Sequence, residues 1–188
     1  KEYSYRSKIE LIPNGLSKEL FVLKIPRQVN HNAQSFISVT GWDPRKNVKT
    51  LLRAFKQLRQ ELPEARMTLI GRGLGDAEIG ANWARQQDCA TGVVFGGALS
   101  QQDVLHALRA EGGIFVHATL EESFCMTVLE AMAQGLPVVV LPDSGAVPWL
   151  VGDGAAGIIA KSQSSESLSQ AMLMVAKDVN LRQRLAAA

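Results

Sequence analysis

With 188 residues, 46% of them hydrophobic, the chain is long enough to bury one full core, and a single domain is the natural reading. Twenty basic against eighteen acidic residues leave a net charge of +2, which excludes a broad field for nucleic acid or an anionic membrane surface, so any anion must be held locally. No apolar run approaches the roughly 20 residues of a membrane span, and two cysteines without metal-ligand spacing point to a reducing, cytoplasmic setting. The polar start at Lys1 leads straight into a strand, as though the chain were cut from a longer protein.

In chain order, alternation over residues 8–12 predicts a strand that ends in the turn Pro13-Asn-Gly15, and residues 17–33 carry no clear signal. Residues 35–39 form the first confident strand, which breaks at Thr40-Gly41 into a basic loop, Trp42-Asp-Pro-Arg-Lys-Asn47. Val48, Leu51, Leu52, Phe55, Leu58 and Leu62 mark a long amphipathic helix. The second strand, 67–70, runs into the glycine loop Gly71-Arg-Gly-Leu-Gly75, and a helix over 76–87 follows. A third strand covers 93–95, Gly96-Gly97 come next, and Ser100 caps a helix over 101–110. Strands at 114–117, 138–141 and 157–160 and helices at 165–177 and 181–187 complete the pattern.

Strands alternating with helices predict an α/β fold: a doubly wound, parallel, six-stranded Rossmann-like sheet with helices on both faces. In the order 3-2-1-4-5-6 the first and fourth strands are neighbours at the switch point, and a ligand binds beyond their C-terminal ends. Those ends carry residues 40–47, with Arg45 and Lys46, and residues 118–127.

The second segment leads into a helix around Met126, Leu129, Met132 and Ala133, stopped by Gly135 and Pro137. Its first turn, around Phe124 to Thr127, offers backbone N–H groups with no partner inside the helix, which attract phosphate. Glu122 stands before that turn and Glu130 one turn inside, with seven residues between them. Free amides for an anion, flanking carboxylates for hydroxyls and a basic loop suit a phosphorylated, hydroxyl-rich ligand. Glu130 lies inside an otherwise apolar helix, where a carboxylate needs a partner.

The glycine loop at 71–75 is not a dinucleotide fingerprint, because Asp76 stands where the third glycine belongs and the loop follows the second strand. His117 closes the fourth strand toward the same crevice and reads as a satisfied structural histidine. Cys125 sits in the anion-binding turn, where a thiol can be acidified, but no base is recognisable beside it.

Glu122 to Glu130, followed by Ala-Met-Ala-Gln-Gly-Leu-Pro-Val, resembles the E-x7-E signature of retaining, nucleotide-sugar-dependent glycosyltransferases of the GT-B architecture, the group 1, glycogen-synthase-like superfamily. Ile12-Pro-Asn-Gly15, Asp43-Pro-Arg-Lys-Asn47, Gly71-Arg-Gly73, Phe95-Gly-Gly97 and Ser144-Gly-Ala-Val-Pro148 agree with it. The resemblance implies that the chain is the C-terminal, donor-binding half of a two-domain enzyme whose N-terminal acceptor domain is absent, so that the isolated piece is inactive. It implies that Arg45 or Lys46 neutralises the diphosphate and the leaving group, that Glu122 faces the donor sugar, and that Glu130 binds the ribose hydroxyls. The amides of Cys125, Met126 and Thr127, with Phe124 beside them, would help hold sugar or phosphate, and the backbone from Gly97 to Leu99 would contact the base. Gly41, Gly71 and Gly73 would complete the donor-binding surface.

The implied substrate is a UDP- or GDP-linked sugar, with no metal and no other cofactor. The implied acceptor is a glycan or lipid-linked hydroxyl in bacterial glycan or lipopolysaccharide biosynthesis, and a lipid acceptor would bring the whole enzyme to the inner membrane. Three positions depart from the family pattern: Gly41 replaces a common arginine, Cys125 a glycine, and Trp149 a glutamate. A nucleotide-sugar epimerase of similar architecture and a non-catalytic nucleotide-binding module are the competing readings.

Overall fold

A computed structural model of the chain describes residues 10, 12–16, 34–111 and 113–188. The strand expected over 8–12 falls mostly outside the described residues, and the stretch 17–33 falls wholly outside them. Six strands form one sheet: β1 (Ser35–Val39), β2 (Arg66–Ile70), β3 (Val93–Gly97), β4 (Ile114–His117), β5 (Val138–Val140) and β6 (Ile158–Ile159). Their order is β3-β2-β1-β4-β5-β6, and every pairing is parallel. This is the expected doubly wound sheet, with its switch point between β1 and β4.

Helices cover both faces: α1 (Val48–Glu61), α2 (Ile79–Gln86), α3 (Gln101–Glu111), α4 (Met126–Ala133), α5 (Val147–Leu150), α6 (Ser165–Lys177) and α7 (Val179–Ala187). Strand alternation divides the core between the two faces. Phe36, Met67, Leu69, Ile114, Val116 and Val139 point to the face where α1 and α6 supply Leu51, Leu52, Phe55, Leu168 and Met172. Ile37, Phe115, Val138 and Val140 point the other way, onto Val104 and Leu108 of α3 and Val128 and Ala131 of α4. The strands are short and apolar because both faces are buried.

Several local features depart from the sequence reading. A 3-10 turn over Pro44–Lys46 occupies the basic loop, started by Asp43, whose carboxylate accepts the Arg45 N–H at 2.9 Å. Helix α2 begins at Ile79 rather than near Asp76, because the chain first turns, with the Glu78 N–H donating to Gly75 O at 2.9 Å. The strand β3 extends through Gly97 rather than stopping at Phe95, since Gly97 O accepts the Gly71 N–H at 2.7 Å. The short helix α5 and a 3-10 turn at Gly152–Gly154 carried no signal strong enough to be expected. Ser100 caps α3 as anticipated: its hydroxyl accepts the Asp103 N–H at 3.2 Å.

Candidate functional site

The loop after β1 and the loop after β4 meet beyond the C-terminal edge of the sheet. Three contacts join them. Leu120 N–H donates to Arg45 O at 2.8 Å, the Thr119 hydroxyl donates to the same carbonyl at 3.1 Å, and the Lys46 ammonium pairs with the Glu122 carboxylate. Side chains of Lys46 and Glu122 are about one third and one sixth exposed, so the pair is partly buried rather than in open water. Arg45 behaves differently. Its side chain is 74% exposed and lies against Asp43, its Nε 3.4 Å from Oδ1, so within the basic pair it is the Lys46 side chain that meets the segment after β4.

Backbone contacts fix Glu122 from the other side. The Glu122 N–H donates to Ser144 O at 3.2 Å, and Glu122 O accepts the Ala146 N–H at 3.0 Å. The approach leaves no room for a side chain at Gly145: with φ of 74°, its Cβ would stand 2.2 Å from Glu122 O. A segment after β5 thus holds the carboxylate in place, a role that its glycine hints at but spacing alone does not assign.

Helix α4 starts at Met126, directly after Cys125, which adopts φ 74° and ψ 73°. A side chain in this left-handed region costs energy, and glycine is the residue that occupies it freely. Cys125, where the resemblance implies a glycine, thus stands at a strained position. The first-turn amides lie outside the helix's own hydrogen-bond ladder. At the other end the chain turns back through Gly135, whose N–H donates to Met132 O at 2.8 Å, while Leu136 N–H donates to Ala131 O at 3.1 Å. Trp149 of α5, 50% exposed, packs its ring 6.3 Å from that of Phe124 and shelters this turn.

Glu130 is 6% exposed. Its Oε1 accepts a hydrogen bond at 3.3 Å from Gln101 Nε2, the first residue of α3. Burial pushes its carboxyl above the ordinary range, and the Gln101 bond offsets only part of that. A buried carboxylate held by one long neutral hydrogen bond is an acceptor with spare capacity.

The glycine loop and its neighbours have packing reasons of their own. Gly71, at φ 143°, passes so close to Thr40 that a Cβ would stand 1.5 Å from its carbonyl oxygen. Gly73 abuts the Trp42 side chain, Gly41 lies under the Arg72 carbonyl, and Gly97 is tied to Gly71 and Leu74 by backbone bonds. The loops after β1, β2 and β3 are thus bound together backbone to backbone, with Leu99 exposed at the rim.

The largest surprise is His117. It is 2% exposed, and neither ring nitrogen has a well-formed hydrogen bond. The reading of a satisfied structural histidine is therefore corrected. Its Nε2 lies 3.5 Å from Glu122 Oε1, an electrostatic contact, and the Cys125 thiol is its other polar neighbour. The absence of a base beside Cys125 is corrected with it. Burial works against a charged imidazole, but Cys125 and Glu122 outweigh it and hold the His117 pKa above the ordinary value. In return His117, and then Lys46, keep the Glu122 carboxyl down at about 2. Burial raises the Cys125 thiol, yet His117 and Thr127, whose hydroxyl is 3.5 Å from Sγ, bring it below its ordinary value. Sequence spacing carried no sign of this triad, since His117 and Cys125 approach only because β4 and the turn before α4 fold back on each other.

Among the described residues no helix is long and apolar enough to cross a membrane. Comparisons with known proteins agree with the architecture. The chain is 27% identical over 168 residues to the sucrose-phosphate synthase of Zea mays, a match covering 82% of this chain and 16% of that protein. Among solved structures, WaaG, a glycosyltransferase involved in lipopolysaccharide biosynthesis, superposes with a TM-score of 0.75 at 21% identity, covering 95% of this chain and 50% of WaaG. HepE of Anabaena, solved with UDP and glucose, superposes with a TM-score of 0.71 at 21% identity, covering 92% of this chain and 46% of HepE. The chain thus spans half or less of the length of these relatives. A family profile described as glycosyl transferases group 1 matches residues 23–188, and the chain belongs to that family.

Proposed function

We propose that this chain is the donor-binding half of a retaining glycosyltransferase, holding a nucleoside-diphosphate sugar for transfer to an acceptor hydroxyl supplied from another domain. The observation that carries the proposal is the junction of the loops after β1 and β4, where Lys46 meets Glu122 at the switch point of the sheet. Lys46, close to the first turn of α4, neutralises the diphosphate and the charge that develops on it as the sugar leaves. Arg45, exposed and held only by Asp43, is free to swing toward the same phosphates. Glu122, ionised and fixed through its backbone, accepts hydrogen bonds from the sugar hydroxyls. Glu130 takes the ribose hydroxyls, which supply the donors that a buried carboxylate lacks. The amides of Cys125, Met126 and Thr127 hold sugar or phosphate beside Phe124, and the backbone of Gly41, Gly71, Gly73 and Gly97 to Leu99 lines the nucleotide.

Basic side chains and the helix end carry out the charge neutralisation that a metal performs in other architectures, so the transfer itself needs none. The UDP bound to HepE supports a uridine donor here, with GDP as the competing base. The part played by WaaG supports a glycan or lipid-linked acceptor, bound in the whole enzyme by an N-terminal domain and met at the cytoplasmic side of a membrane.

Calorimetric titration of UDP, GDP, ADP and their sugars into the wild-type chain and Glu130→Ala tests this reading. One nucleotide binds the wild-type chain, and Glu130→Ala loses about tenfold or more, the cost of leaving ribose hydroxyls unpaired. No binding by any of them overturns the donor reading. Undiminished binding by Glu130→Ala overturns the ribose assignment.

A further inference from the structure

The turn before α4 holds a set of side chains that the proposed transfer does not need together. An imidazole nitrogen of His117, a carboxylate oxygen of Glu122 and Sγ of Cys125 all lie within 4.8 Å of one another. A tetrahedral Zn2+ with bonds of about 2.0–2.3 Å keeps its ligand atoms roughly 3.3–3.6 Å apart, so closing this set onto an ion takes movements of about an ångström. The His117–Glu122 separation, 3.5 Å, already has the required value.

A second, independent observation points to a ligand. His117 is almost fully buried, and both of its ring nitrogens lack a well-formed hydrogen bond. Its contacts with Glu122, at 3.5 Å, and Cys125 leave a buried imidazole without a well-formed bond, which is costly, and a coordinated cation removes the cost. All three ligands stand on fixed backbone. His117 ends β4 with its ring parallel to that of Phe115 at 6.2 Å, Glu122 is clamped by Ser144 and Ala146, and Cys125 occupies the constrained position before the helix. Thiolate, imidazole and carboxylate are the donor set of zinc rather than of magnesium or calcium.

We propose that His117, Glu122 and Cys125 form a three-ligand site for Zn2+, and that the metal, by taking Glu122, blocks the donor sugar. Binding displaces the thiol proton of Cys125 and, from the charged imidazole, the proton on the coordinating nitrogen of His117, both released to solvent, and leaves a fourth position open. Lys46 gives up the oxygen it shares with His117 and moves to the other carboxylate oxygen. The blocking half of the proposal rests on the donor reading above, whereas the metal site stands without it.

Cobalt(II) is the probe, because a cobalt–thiolate bond produces a charge-transfer band in the near ultraviolet. One equivalent of Co2+ added to the wild-type chain yields that band, and Zn2+ abolishes it. Cys89→Ser retains it, whereas Cys125→Gly, which suits the backbone at that position, lacks it. Absence of the band in the wild-type chain, or its survival in Cys125→Gly, overturns the metal site. In a second arm, Zn2+ weakens binding of the preferred nucleotide sugar by about tenfold in the wild-type chain and has no effect in Cys125→Gly. An unchanged affinity in the wild-type chain, with the cobalt band present, overturns the block. Failure of every nucleotide to bind in the absence of metal counts against the donor reading, and the cobalt arm still decides the site.

Discussion

Cys125 shows how much one backbone angle can ask of a residue. At φ 74° any side chain is strained by about 1–2 kcal/mol relative to glycine, yet the thiol is buried, in contact with the Thr127 hydroxyl and near His117. Alanine would retain the strain and lose the thiol's contacts, while glycine would lose both. Denaturant unfolding should therefore rank Cys125→Gly above Cys125→Ala in stability by about 1 kcal/mol, the reverse of the usual order near a helix. Equal stabilities, or a more stable alanine variant, would mean that the backbone does not hold this angle. Glu122 carries a pH signature of its own. Its carboxyl titrates at about 2 in the folded chain against an ordinary value of 4.5, so between these limits the unfolded chain binds more protons. Stability from this group is fully present above about pH 4.5 and falls as pH drops toward 2. Glu166, held at about 2 by its own backbone amide and by Gln57, falls in the same window. Acid unfolding of Glu122→Gln beside the wild-type chain isolates the share due to Glu122, and the variant should show a shallower loss over that range.

Helix α4 carries a cost to the fold in its buried carboxylate. Its inner face supplies Val128 and Ala131 to the core, yet Glu130 beside them is a buried carboxylate whose pKa burial has raised. A raised carboxylate pKa reverses the sign: the unfolded chain gives up the proton first, so stability falls as pH rises from about 4.5 through the folded value, and the ionised form remains a burden above it. Glu130→Gln should raise the melting temperature at neutral pH, by about 2–4 °C for each 1 kcal/mol relieved in a chain of this size, while weakening nucleotide binding. A melting temperature that stays level or falls would show that the carboxylate is already satisfied. The opposite face of the sheet is held by aromatic packing. Phe55 of α1 is fully buried and meets Phe36 edge-on, with ring centres 6.0 Å apart. Truncation to alanine should cost about 3–5 kcal/mol in chemical denaturation and leave the site residues untouched.

At the scale of the whole molecule, hydrophobic periodicity was enough to read the sheet. Short apolar strands alternating with amphipathic helices pointed to a doubly wound sheet, whose usual strand order is the one found, and the helix Ser165–Lys177 has the expected bounds. The meeting of the Lys46 loop with the Glu122 segment followed from that order. What stayed hidden depends on side-chain packing rather than period. The approach of His117 to Cys125, the clamping of Glu122 by the segment after β5 and the sharing of Glu130 with Gln101 all join residues whose separation in sequence says nothing of contact. Gly71 and its neighbours failed as a dinucleotide fingerprint, and three loops packed backbone to backbone give their glycines a packing reason. One further cleft, lined by Lys56, Arg59, Gln60 and Asp88 together with Cys89 and Thr91 just before β3, lies at the N-terminal edge of the strands and offers a rival place for an anion. A crystal structure of the chain with UDP or GDP, whichever binds, discriminates between the two edges. The account predicts a diphosphate over the first turn of α4 within reach of Lys46 and ribose hydroxyls on Glu130; a nucleotide seated in the Lys56–Arg59 cleft, with the Lys46–Glu122 crevice empty, would contradict it.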